Sequence, residues 1–200
     1  MKYKKILAID PSGSFEEGNG TTGWVLMNYN EHLVTTGQLT AKDYNTAEEY
    51  WNAHLQLIDY NYQKHGDDLI VVIEDYRLYR DKAVSQSNSQ METCRLLGVM
   101  QWYCWRNNIN ITKQLATDVK VRWSDDLLLR EHILRKDGLS WIHTESGFNL
   151  SSNHIRDAFR HATHYAVCRN LVENKFRGRN TTIKPKGYFM TGGNNGFSNY

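Results

Sequence analysis

Three carboxylates in this 200-residue chain stand where they can act together. Asp10 closes the apolar run Ile6-Leu7-Ala8-Ile9, Glu74 closes Leu69-Ile70-Val71-Val72-Ile73, and Asp157 falls in the first turns of a late amphipathic helix. Two buried strands that end in carboxylates can converge on one point, and a helix laid across their ends adds the third. Negative charge gathered in this way is costly unless a cation holds it together. Magnesium and manganese are hard ions that prefer oxygen donors and keep several waters. Two such ions stabilise both the attacking and the leaving oxygen of an in-line phosphodiester displacement. The residue types therefore point to a metal site for phosphoryl chemistry, with Asp10 bridging and Glu74 and Asp157 each completing a side. His154 precedes Asp157 by three residues and shares its helix face, placed either to ligate a metal or to move a proton.

The elements that must position these residues can be read from hydrophobic pattern. Lys4 to Asp10 is a continuous apolar run of the kind found in doubly covered strands, ended by Pro11-Ser12-Gly13. Thr22 to Asn28 and His32 to Leu39, separated by Asn30-Glu31, read as an antiparallel hairpin beside it. Tyr50, Trp51, Leu55, Leu57, Ile58 and Tyr62 recur at helical spacing between Thr46 and Lys64, and this helix returns the chain for a parallel strand, Leu69 to Glu74. The handedness of βαβ crossovers places that strand beside the first, so Asp10 and Glu74 meet at one sheet edge. Ser87 to Trp105 reads as a long helix with more aromatic and aliphatic residues than one face needs, so part of it is expected to bury against a partner subunit. Asn110 to Lys113 is a short strand, and Ser124 to Arg135 a helix with Ser124 as its cap and Asp125 and Asp126 in its first turn. Ser152 caps the last helix in the same way.

Composition sets the outer bounds. An aromatic share of 12% and a hydrophobic share of 40% over 200 residues fit one globular domain. The net charge of +2 is too mild to establish a nucleic-acid partner by itself. No apolar stretch approaches a membrane span, and Met1-Lys2-Tyr3-Lys4-Lys5 leads into a strand too short for a signal-peptide core, so a cytoplasmic protein without a membrane partner is expected. Cys94, Cys104 and Cys168 lack a CxxC pair and read as reduced, mostly buried thiols. The expected organisation is a nuclease domain over residues 1–174 and a flexible tail over 175–200, basic at first and Gly/Asn-rich at its end.

The motifs carry a resemblance. Ile6-Leu7-Ala8-Ile9-Asp10-Pro11-Ser12-Gly13, followed by Thr22-Gly23-Trp24, resembles the opening of the RuvC family of Holliday junction resolvases. Val72-Ile73-Glu74 resembles the family's second acidic strand end, and Asn153-His154-Ile155-Arg156-Asp157-Ala158 its closing helix. The resemblance spans nearly the whole chain. It implies an RNase H-like α/β fold, with a mixed five-stranded sheet flanked by helices, and a homodimer. It also implies a magnesium-dependent endonuclease, with manganese able to substitute, that cuts four-way junctions and other branched DNA. Asp10, Glu74, His154 and Asp157 would be its catalytic and metal-ligating residues. DNA contacts fall on Lys120, which matches a basic residue of the family, and on the loop after Glu74, where Tyr76, Arg77, Tyr79 and Arg80 alternate aromatic and basic character. Arg77 stands where the family has a stacking aromatic, so that role passes to Tyr76 or Tyr79. Two further departures are the longer opening loop, with Phe15-Glu16-Glu17-Gly18-Asn19, and Asp125-Asp126 where a second lysine is expected. Such divergence, with the basic tail, suits a bacteriophage member.

Each residue also has an ordinary explanation. Asp10 before Pro-Ser-Gly is turn chemistry, Glu74 can pair with Arg77 or Arg80, Asp157 can serve its helix N-terminus, and His154 can sit in a capping region. Their joint order favours the shared site. His161 and His164 lie on the face of Asp157, but the spacing lacks the further ligands of a closed zinc site. The competing functions are a ribonuclease H acting on RNA–DNA hybrids, a transposase-like nuclease, and a protein that binds branched DNA without cutting it.

Overall fold

The computed structural model describes residues 3–29, 33–76 and 91–171. The strands are β1 (Lys5–Asp10), β2 (Thr21–Asn28), β3 (Leu33–Thr40), β4 (Leu69–Asp75) and β5 (Ile111–Leu115). They form one mixed sheet in the order β3-β2-β1-β4-β5, with β1, β2 and β3 antiparallel and β1, β4 and β5 parallel. Helices α1 (Ala47–His65) and α2 (Glu92–Arg106) cover one face, and α5 (Asn153–Cys168) the other. The short helices α3 (Ala116–Lys120) and α4 (Asp125–Arg130) and a hairpin of β6 (Leu134–Asp137) and β7 (Ser140–His143) fill the chain between β5 and α5.

Strand alternation explains why β1 and β4 are apolar throughout. Ile6, Ala8, Ile70 and Val72 enter the core shared with α5, while Leu7, Ile9, Leu69, Val71 and Ile73 enter the core shared with α1 and α2. The same parity carries on to the strand ends. Asp10 follows Ala8 by two residues and Glu74 follows Val72 by two, so both face α5.

Helix α1 begins where capping chemistry puts it: Thr46 Oγ1 accepts from the Glu49 N–H, and Glu48 and Glu49 lie in the first turn. It ends at Gly66, whose φ of 54° suits glycine. Its inner face carries Tyr50, His54 and Ile58. His54 is fully buried; its Nδ1–H donates to the Tyr50 carbonyl at 2.8 Å, so Nε2 accepts from the Thr22 hydroxyl, also at 2.8 Å. Thr22 Oγ1 accepts from the Ser12 N–H, and the Tyr50 hydroxyl donates to the Ser12 carbonyl. This network pins the turn that follows Asp10.

The network carries a pH signature. Burial pushes the His54 imidazole down from its ordinary 6.5 to about 4, against the opposing pull of its hydrogen bond to the Tyr50 carbonyl. As pH falls below 6.5 the unfolded chain takes up this proton before the folded one does. The stability that depends on neutral His54 is therefore complete above pH 6.5 and is lost towards pH 4, on the order of 3 kcal/mol in all. Urea unfolding between pH 7 and 4.5 should show this decline in the wild type and a flatter profile in His54→Gln. Parallel profiles would assign the decline elsewhere.

Two expectations need correction. The helix expected over Ser124 to Arg135 begins as read, with Ser124 Oγ accepting from Leu127 N–H, but stops at Arg130. His132 takes a left-handed φ of 56°, and Leu134–Asp137 then pairs with Ser140–His143 across a two-residue turn at Gly138-Leu139, with Gly138 at φ 58°. The apolar spacing Leu127, Leu128 and Leu134 suits either arrangement; Asp137-Gly138 was the hairpin signal. Ser152 occupies the N-cap position of α5 without a side-chain cap hydrogen bond, because its Oγ accepts from Gln38 Nε2 on β3 instead. Residues 87–90, expected within the long helix, and the tail from Lys175 lie outside the described residues; the helix itself begins at Glu92, after Met91 at a left-handed φ of 50°. Of the three free thiols only Cys104 is buried; Cys94 and Cys168 are partly exposed. Among the described residues no helix is long and apolar enough to cross a membrane.

Candidate functional site

One row of residues runs across all five strands on the face covered by α5. Gln38 on β3 pairs with Gly23 on β2, and Gly23 with Asp10 on β1. Ile9 pairs with Ile73, so Asp10 and Glu74 are the next positions along β1 and β4, and Glu74 pairs with Gln114 on β5. Helix α5 crosses this row from one end to the other. Ser152 meets Gln38. The backbone at His154 lies so close to Gly23 that a Cβ there would stand 2.2 Å from the His154 carbonyl carbon. His154 Nδ1 is 2.7 Å from Asp10 Oδ2. One to two turns on, His161 Nε2 is 2.9 Å from Glu74 Oε2, and its Nδ1 is 2.9 Å from Gln114 Oε1.

Asp157 faces the same space from between these contacts. Its Oδ2 lies 2.8 Å from Lys120 Nζ, and that ammonium is 3.3 Å from Glu74 Oε2. Asp157 Oδ1 accepts from Arg160, whose other terminal nitrogen donates to Asp125. The four residues Asp10, Glu74, His154 and Asp157 are thus brought together, with Lys120 between two of the carboxylates.

The turn after β1 is also tightly held. A Cβ on Gly13 would stand 2.3 Å from the Glu92 carbonyl carbon and 2.4 Å from Thr93 N, at the start of α2. Gly13 N–H donates to Thr93 Oγ1 at 3.1 Å. The longer opening loop closes on itself, with Gly20 N–H donating to the Ser14 carbonyl, and Glu16 N–H donates to Glu92. The glycines of the opening motif are therefore places where a helix N-terminus meets strand or turn backbone directly.

Charge shapes the cluster. Burial pushes the Asp10 carboxyl above its ordinary value, and Glu74 and Asp157 push it further against the opposing pull of His154. The hydrogen bond to Asp10 raises the His154 imidazole against the cost of burial. Burial alone would raise Glu74, but His161 and Lys120 outweigh it and hold the carboxyl below its usual value. Burial opposes the Lys120 ammonium; its hydrogen bond to Asp157 and the charges of Glu74, Asp157 and Asp10 raise it nonetheless.

No family model and no curated relative matches the sequence. Solved structures do match. T. thermophilus RuvC in complex with a Holliday junction substrate superposes with a TM-score of 0.60 at 11% identity, covering 84% of this chain and 96% of that one. The fold is that of RuvC. A second Thermus thermophilus RuvC structure agrees, with a TM-score of 0.54, 12% identity and the same coverage of both chains. The expected RNase H-like arrangement, a mixed five-stranded sheet flanked by helices, is therefore present.

On this RuvC fold the residues expected to touch DNA separate. Lys120 lies within the carboxylate cluster. Tyr76 is partly buried against the core under α1 and α2. Arg77, Tyr79 and Arg80 lie outside the described residues. The rings of His161 and His164 go to different partners: Trp123 Nε1–H donates to His164 Nδ1, and His164 Nε2 faces Cys168 Sγ at 3.5 Å. Among the described residues no group of three or more His, Cys, Asp or Glu side chains stands at metal-ligating spacing.

Pattern reading missed the residues that grip the carboxylates. Arg160 was visible as the i+3 partner of Asp157. Asp125 reads from the sequence as a first-turn acid of its helix and as a departure from the family; in the structure it anchors Arg160 and lies 3.5 Å from Arg156 Nε. Gln114 had no signal of its own, because its role depends on strand register.

Proposed function

We propose that this protein is a magnesium-dependent, structure-selective DNA endonuclease that cuts four-way junctions, and other branched DNA, by hydrolysing phosphodiester bonds. The observation that carries the reading is the convergence of Asp10, Glu74 and Asp157, with His154, on one face of a RuvC fold. The donor set fits a hard divalent ion: three carboxylates and one imidazole, with Asp10 held in a charge environment that favours an added cation. Asp10, Glu74, Asp157 and His154 would hold magnesium, and manganese in its place. When bound, such ions supply Lewis-acid stabilisation to the attacking and leaving oxygens.

The chain's own residues supply the rest. His154 holds its ring against Asp10 and can accept or return a proton at Nδ1 when that contact opens. Lys120, already at the centre of the cluster, offers an ammonium to the phosphate. Attack of water at phosphorus breaks the bond to the 3′ oxygen, which leaves with a proton as a 3′-hydroxyl, and the other strand end keeps a 5′-phosphate. Tyr76, Arg77, Tyr79 and Arg80 are proposed to meet the junction.

A homodimer would set two such sites across one junction. The outer face of α2 supports this, since Trp102 is 54% and Trp105 69% exposed on a helix whose other face is core. Sedimentation should give a dimer that Trp105→Lys weakens; a wild-type monomer at micromolar concentration would remove the paired-site geometry.

Cleavage of an end-labelled immobile four-way junction, beside a linear duplex and an RNA–DNA hybrid, tests the central reading. Paired, ligatable nicks in opposing strands should appear with magnesium and not with chelator. Cutting confined to the hybrid would make the protein a ribonuclease H, and tight binding without cutting in magnesium or manganese would make the carboxylates structural.

A further inference from the structure

We propose that Gln114 and His161 form a positioning pair for Glu74, holding its carboxylate in place before any metal ion arrives. His161 is fully buried on α5, one turn beyond Asp157 and on the same face. Its ring is fixed at both nitrogens, by Glu74 Oε2 at 2.9 Å and by Gln114 Oε1 at 2.9 Å. Glu74 and Gln114 are themselves paired across β4 and β5, so their side chains leave the sheet on the same side. The three residues therefore close a ring of contacts that is backbone at one edge and imidazole at the other. Neither the strand pair nor the helix has to move to maintain it.

An ordinary buried histidine needs its polar atoms satisfied, and backbone carbonyls would do that. His161 instead spends one nitrogen on a carboxylate of the candidate site and the other on a side chain that lies in the same cross-sheet row. His161 and Lys120 both meet the same oxygen of Glu74. A glutamate has three side-chain torsions to fix, and two groups that meet at Oε2 restrict where that oxygen can go. Outer partners of this type govern how well a carboxylate site holds metal.

This inference rests on the reading that Glu74 is a metal ligand. The test is calorimetric titration of manganese into the full chain without DNA, for the wild type, His161→Phe, His161→Gln and Gln114→Leu. His161→Phe should weaken manganese binding by about 10- to 100-fold, and Gln114→Leu by a smaller factor. His161→Gln keeps an N–H donor in reach of Glu74 and should recover most of the loss. Binding of a four-way junction in chelator should be unchanged in all three. A folded His161→Phe protein with wild-type manganese affinity would overturn the pair, as would a His161→Gln protein no better than His161→Phe. Should the phenylalanine variant fail to fold, Gln114→Leu decides: it changes a partly exposed strand residue, and unchanged affinity there overturns the inference. A wild-type chain that binds no manganese overturns the metal reading itself, which the variant comparisons do not touch.

Discussion

Asp157→Asn should stop cleavage of a four-way junction, by about 10³-fold or more, while leaving the grip on the junction intact or tighter. Asp157 is held by two cationic side chains, Lys120 and Arg160. The amide preserves the shape of the side chain, so Arg160 keeps its anchor on Asp125 and α5 keeps its place on the sheet. What changes is charge. Lys120 and Arg160 lose a counter-charge, and the face becomes more attractive to phosphate. Asp10 and Glu74 are left as too small a carboxylate set for the chemistry. Single-turnover cleavage in magnesium and gel shifts in chelator separate the two effects. If junction binding and the melting temperature fell together with activity, Asp157 would be a folding element and the assignment would fail.

Gly23→Ala should disable the site without touching any residue that meets the substrate. The added Cβ would stand 2.2 Å from the His154 carbonyl carbon and 2.4 Å from both the His154 oxygen and Ile155 N, all backbone atoms of α5. No rotamer change relieves such a contact, so the helix has to ride up from the sheet. Overpacking of this kind costs roughly 1–3 kcal/mol, or about 2–4 °C of melting temperature per kcal/mol in a chain of this size. The larger effect is on geometry, because His154 and Asp157 ride on the displaced helix while Asp10 and Glu74 stay with the strands. A misplacement of about 1 Å costs on the order of 10²-fold in rate. Gly98→Ala is the matched control: nothing lies within 4 Å of its Cβ on α2, so it should be neutral or slightly stabilising. A Gly23→Ala enzyme cutting at the wild-type rate would show that α5 and the sheet can separate without harm.

The part of this architecture legible in the sequence is the part written in local pattern. Apolar runs ending in Asp10 and Glu74 announced two strands, and their even spacing from Ala8 and Val72 already put both carboxylates on one face. The helix of His154 and Asp157 was equally plain. The grip on the carboxylates was hidden, because it depends on register: Gln114 matters only once β5 sets it opposite Glu74, and His161 only once α5 crosses the row at that point. The helix expected over Ser124 to Arg135 runs too far for a different reason. Its cap and first-turn acids mark where it starts but not where it stops, and only the pairing of Arg135 with Ile142 and Lys136 with Trp141 shows that the chain has turned to strand.

The bare contact at Gly13 makes α2 a lever. At one end the helix abuts the turn that follows Asp10, backbone against backbone, with Thr93 tied to the Gly13 N–H. Thirteen residues beyond Glu92, roughly 20 Å away, it displays Trp105 to the outside. A side chain at position 13 would have bent and absorbed small movements of the helix; a glycine transmits them. Backbone contact at Gly13 therefore ties the position of the start of α2 to the turn that follows the first carboxylate.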